Sequence, residues 1–112
     1  MRRVVPTQFP TEPSIVDSEG IGAMIRAART GLGMTLADAA VTVGVSKQTL
    51  ADLETAKASV GLAIALKVAK ELGVAVFAVP AGEREPVRRA ILAALAATTD
   101  ADADADAKVR RD

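Results

Sequence analysis

From Ser18 onward the apolar positions fall at helical spacing. Ile21, Met24, Ile25 and Ala28 recur at i, i+3, i+4 and i+7, with Arg26 and Arg29 off that stripe, so one face of a helix is set for burial. Gly31 and Gly33 interrupt the run and bound a first helix at 18–30. Thr35 is a good N-cap, and Leu36, Ala39, Ala40 and Val43 behind it make a second, short helix that Gly44 breaks. Ser46 supplies another N-cap two residues later, with Leu50 and Leu53 facing inward and Lys47, Gln48, Ala51 and Asp52 on the outer arc. Leu62, Leu66, Ala69 and Leu72 predict a fourth helix, with Lys67, Lys70 and Glu71 solvated and Gly73 as its stop.

The pattern then changes period. Residues 74–79, Val-Ala-Val-Phe-Ala-Val, are β-rich and bounded by Gly73 and Pro80, which predicts a lone strand. One strand cannot satisfy its own backbone groups. It needs a partner from the N-terminal arm or from another subunit, and Val74, Val76, Phe77 and Val79 are therefore the expected dimer interface. Beyond Gly82, Pro86 suits a first helical turn, and Val87, Ala90, Ile91, Ala94 and Leu95 form an amphipathic stripe that also seeks a surface. The alternating Ala-Asp run from Asp100 to Ala107 carries self-repelling charges and nothing large to bury. It reads as an inert, disordered tail over 99–112 rather than an interaction handle. Residues 1–17 hold Pro6, Pro10 and Pro13, which forbids a helix and suits an extended arm with at most a short strand at 3–5.

The expected organisation is thus an arm at 1–17, a helical domain at 18–73, a strand-plus-helix segment at 74–98 and a tail at 99–112. One core accounts for a chain of 112 residues. Phe9 and Phe77 are the only aromatic residues, so the core is built from Ala, Val, Leu, Ile and Met, with Met24, Met34 and Phe77 as core or interface filler.

Composition narrows the chemistry. Without His, Cys, Trp or Tyr there is no histidine base, thiol nucleophile or His/Cys metal ligand, and few platforms for stacking bases. Scattered carboxylates offer no paired acid and base on a defined scaffold. We expect no enzyme, no metal and no cofactor. Arg2-Arg3 is followed by Val-Val-Pro-Thr-Gln rather than an apolar run, and no uncharged stretch nears the ~20 residues that span a bilayer. A cytoplasmic protein with no membrane contact is the simplest fit. The formal charge is zero, which argues against nucleic acid until it is divided. Residues 20–89 carry nine basic and six acidic residues, a local +3 that the two ends cancel.

Function concentrates in residues 34–57, two short helices joined by a tight turn. Such a helix-turn-helix places its second helix in the ~12 Å major groove of duplex DNA while the first braces it. Ala40 permits close helix approach, Gly44 can take the positive φ of the turn, and Val45, Leu50 and Leu53 anchor the reading helix. Gln48 can bind adenine N6/N7 in bidentate fashion, and Lys47 can donate to guanine or a phosphate. Asp52 can accept from cytosine N4 and would act on selectivity rather than affinity. Thr35 and Ser46 can hold phosphate oxygens at helix N-termini, Lys57 can do so with charge, and Thr49 completes the set. The blander reading of Thr35 and Ser46 is that they are plain caps, and of Lys47 and Gln48 that they are solvated surface.

These residues resemble the Cro/CI-type (Xre) helix-turn-helix family. The likeness rests on Arg29, Thr35-Leu36-Ala37-Asp38-Ala39-Ala40, Gly44-Val45-Ser46, Leu50 and Leu53-Glu54. It implies a mainly α, lambda-repressor-like fold of four to five helices with one short C-terminal strand pairing across a dimer. It also implies a buried ion pair between Arg29 and Glu54. Leucine 36 stands where the family usually has Gln, Ala39 where it has Leu, and Ala56 where it has Gly; Leu36 offsets the volume lost at Ala39 on the same face. The strand position resembles HipB-type antitoxin repressors. The resemblance thus implies a prokaryotic, homodimeric repressor on a palindromic operator with half-sites ~34 Å apart, and a kinase-type toxin as a further partner. The alternative is an interaction module that has kept the fold and lost DNA binding, suggested by Leu36, Asp52, Ala56 and the neutral charge.

Overall fold

The computed structural model describes the backbone of residues 3–110 and the side chains of residues 3–98. The chain divides into two compact units, Met1–Phe77 and Ala78–Asp112.

In the first unit an extended arm leads into α1 (Ser18–Gly31), α2 (Leu36–Val43), α3 (Lys47–Thr55) and α4 (Leu62–Glu71). Asp17 starts α1, its carboxylate accepting from the Gly20 N–H at 2.8 Å. Packing runs α1 on α3, α2 on α3 and α2 on α4. Ile25, Val43, Leu50 and Val68, one from each helix, are fully buried at the centre, with Ala39, Ala40, Ala65 and Ala69 filling the close spaces between them. Small side chains let short helices approach. The expected stripes of α1, α2 and α3 face this core, but on α4 it is Ala65 and Val68, with Ala69 and the following Leu72, that are buried, whereas Leu62 and Leu66, expected inward, are exposed, as is Phe77.

Three of the four helices end in the same way. The amides of Met34, Val45 and Val74 donate back to the carbonyls of Arg29, Ala40 and Ala69 at 3.2, 3.0 and 2.8 Å, across a positive-φ glycine in each case. This Schellman closure satisfies the last carbonyls of each helix. The arm is held by a contact of its own. Thr30, buried near the end of α1, accepts the Thr7 N–H at 2.9 Å and lies 3.1 Å from the Thr7 hydroxyl.

The expected strands do not form among the described residues. Residues 74–79 form no strand and no ladder bonds, and neither do residues 3–5. A run of β-formers becomes a strand only where a neighbouring edge accepts its hydrogen bonds, and the described chain supplies none. Val74 instead closes α4 and packs half-buried on the core, while Val76, Phe77 and Val79 are exposed.

The second unit contains a 3-10 turn at Ala81–Glu83 and the long helix α5, Arg84–Arg110. Pro86 stands in its first turn, where a backbone N–H would find no intrahelical acceptor and its absence costs no helix bond. Glu85 pairs with Arg88 at 3.6 Å and Arg89 at 3.3 Å. The backbone is helical through Asp100–Ala107, where alanine, the residue of highest helix propensity, fills every second position. Residues 111–112 lie outside the described residues. No helix among the described residues is long and apolar enough to cross a membrane.

Candidate nucleic-acid interface

The helix-turn-helix is set by two local devices. Gly44 adopts φ 76°, ψ 35°, a left-handed conformation that reverses the chain out of α2; an L side chain there costs about 1–2 kcal/mol. Two residues on, the Ser46 hydroxyl accepts the Thr49 N–H at 3.0 Å and starts α3. Leu50 and Leu53 are buried on the inner face. Lys47 and Gln48, in the first turn of α3, are therefore forced outward, and both are exposed.

Gln48 is not a loose side chain. Its Nε2 donates to Asp52 Oδ1 at 2.9 Å, one turn along the same face. That bond uses one amide proton and leaves the second proton and Oε1, the pair that a bidentate adenine contact requires. Asp52, expected to accept from cytosine, is engaged with Gln48 and orients it.

The hydroxyls are similarly engaged. Ser46 Oγ lies 2.8 Å from Thr49 Oγ1 as well as capping the helix. Thr35 Oγ1 accepts the Asp38 N–H at 3.1 Å and caps α2. Both hydroxyls cap their helices, and the Thr35 hydroxyl and one of the Ser46–Thr49 pair each keep a proton for donation to an acceptor such as a phosphate oxygen. Lys57 is exposed just beyond the end of α3.

The exit of α3 is built differently. Arg29 Nε and Nη2 donate to Glu54 Oε2 and Oε1 at 2.7 and 2.9 Å, and Nη1 donates to the Met34 carbonyl at 2.9 Å. The side chains are only 11% and 4% exposed. This bidentate, three-bond arrangement ties α1, the α1–α2 connection and α3 together. Ala56, which ends α3, has φ 56°, the only positive φ outside glycine among the described residues. Ala56 therefore holds a left-handed conformation with a side chain that resists it.

Two residues of this frame escape sequence reasoning. A Cβ on Gly22 would lie 2.4 Å from the Leu53 carbonyl oxygen and 2.8 Å from that of Glu54, so the glycine lets α1 touch the last turn of α3. Its signal was a glycine inside an otherwise Ala-rich helix, which is costly unless something approaches. Lys67, assigned to solvated surface, carries its Nζ 3.5 Å from where a Gly44 Cβ would stand. It places a positive charge beside the carbonyl end of α2, and no sequence pattern links positions so far apart. Of the expected interface residues, Val74, Val76 and Phe77 share the first unit without forming a strand, and Val79 belongs to the second. Among the described residues no cluster of carboxylates could hold a metal ion.

Comparison with known proteins bears on this frame directly. Residues 25–77 match the model of a helix-turn-helix family. The match takes in both helices of the motif, α4 and the segment to Phe77, supports the Cro/CI-type likeness and points to DNA binding in transcription regulation. No curated protein matches the chain.

Proposed function

We propose, from the premise that residues 25–77 carry a helix-turn-helix DNA-binding domain, that the protein is a sequence-specific regulator of transcription that binds a palindromic duplex site as a homodimer. The observation that carries the reading is the Gln48–Asp52 hydrogen bond on the outer face of α3. A solvated surface glutamine needs no such orientation, whereas a base-reading one gains from it. Lys47 and Gln48 read base edges, Thr35, Ser46 and Thr49 face phosphates from helix N-termini, and Lys57 adds charge. Two subunits are required on energetic grounds. A local excess of +3 gives one copy weak non-specific affinity, and two linked half-sites multiply it.

Repression of its own operon, and service as antitoxin to a kinase-type toxin, are narrower readings. Their support was the strand at 74–79, and the unpaired conformation of those residues leaves them resting on family likeness alone.

Selection of bound fragments from genomic DNA tests the proposal. The expected product is a palindrome with half-sites one helical turn apart. Recovery of fragments without shared sequence, or no retention of duplex at low salt, would favour an interaction module that has lost DNA binding.

A further inference from the structure

The first unit presents an open groove of about 460 Å³ on the side of α3 that carries Asp52. Ile15 and Val16 of the arm, Leu62 and Leu66 of α4, and Val76 and Phe77 line it, and all six are exposed, Phe77 by 77%. Large apolar side chains converging on one groove mark an interaction site rather than scattered surface hydrophobes. The charged residues lining it are Asp17 and Asp52, both acidic.

That charge pattern selects the occupant. Pairing the groove face with the same face of a second copy would set Asp17 and Asp52 against their own kind, which is unfavourable. An amphipathic helix with basic residues beside its apolar stripe fits instead, and the N-terminal part of α5, with Arg84, Arg88 and Arg89 against Glu85, supplies one. On α5, Val87, Ile91 and Leu95 succeed one another at one-turn intervals, a stripe of about 12 Å. At ~100° per residue Arg84 borders the stripe at its N-terminal end and Arg88, which also pairs with Glu85, borders it along one side, while Arg89 turns away from it.

We infer that the groove receives α5 of a second copy, the apolar stripe against Leu62, Leu66 and Phe77 and the bordering arginines toward Asp17 and Asp52. It rests on the dimeric reading above and supplies the contact that the missing strand does not. Exchange of α5 in both directions gives a closed two-fold dimer with two equivalent grooves. Each seated helix lies beside Asp52, one hydrogen bond from Gln48, so dimer assembly is coupled to the reading face.

The absence of cysteine allows a direct test on the full chain. One preparation carries Leu66→Cys and another, distinguishable by mass, carries Ile91→Cys; the two are mixed and mildly oxidised. The expected product is a chain-to-chain disulfide between the two variants, in clear excess over either self-linked product. Self-linked Leu66→Cys chains as the main product would establish groove-to-groove pairing and overturn the proposal. So would a doubly substituted chain that links only within itself, or the absence of any link. In sedimentation, Ile91→Glu should weaken the dimer by at least about tenfold, with unchanged helicity by circular dichroism; an unchanged dimer would contradict the docking. Cross-linking without retention of duplex DNA would uphold the docking and count against DNA reading. Retention of duplex DNA by a strictly monomeric protein would do the reverse.

Discussion

The two ends of α3 are held by different physics. Its entry is local: Gly44 reverses the chain, Ser46 caps the helix, and all the determinants lie within four residues of Gln48. Its exit is tertiary. Glu54 is gripped by Arg29 of α1, Leu53 and Glu54 present their carbonyls to Gly22, and the chain leaves through Ala56 in a strained conformation. The entry carries the residues that would read bases, and the exit carries Lys57. Helix α3 thus has its first turn fixed by sequence-adjacent devices and its far end fixed by the domain around it.

The largest effect that separates the two ends is expected at the ion pair. Glu54→Ala leaves the nearly buried Arg29 guanidinium without its carboxylate and should destabilise the domain by about 3–5 kcal/mol, measured by urea unfolding. A loss under 1 kcal/mol would mean that the exit is not held from α1. Gly22→Ala comes next. Helix propensity alone predicts a gain of about 1 kcal/mol, but the Cβ would meet two backbone oxygens, and we expect a loss of about 1–3 kcal/mol. The sign decides whether the close approach is tight. A reciprocal pair then compares the two turns directly. Gly44→Ala should cost about 1 kcal/mol, and Ala56→Gly should return about the same amount, because relief of left-handed strain exceeds the added freedom of the unfolded chain. If Ala56→Gly destabilises, the exit is not strained.

The same division explains what was legible in the sequence. Caps at Thr35 and Ser46, stops at Gly33, Gly44 and Gly73, and the apolar stripes of α1 to α4 are local signals, and each corresponds to the element it predicts. Gly22, Lys67 and the Thr7–Thr30 contact act across 20 or more positions, and no periodicity encodes them. The Arg29–Glu54 pair belongs to the same long-range class, yet it was reachable because family likeness carries information that spacing does not. The strand at 74–79 fails for the complementary reason. Its β-rich composition describes what the residues favour, whereas a strand requires an edge elsewhere. Aspartate 52 was assigned to a base, because a side chain one turn from Gln48 can turn toward DNA or along its own helix, and spacing does not distinguish them.

The central claim is that the entry of α3 reads sequence while its exit contributes charge. Binding of Gln48→Ala and Lys57→Ala to the selected operator and its single-base variants, across a range of salt, tests it most directly. Gln48→Ala should lose about 1–3 kcal/mol at one base-pair position and relax preference there, with the salt dependence intact. Lys57→Ala should weaken every sequence alike and reduce the salt slope by about one. Identical behaviour of the two variants, whether both uniform or both without effect, would contradict the account.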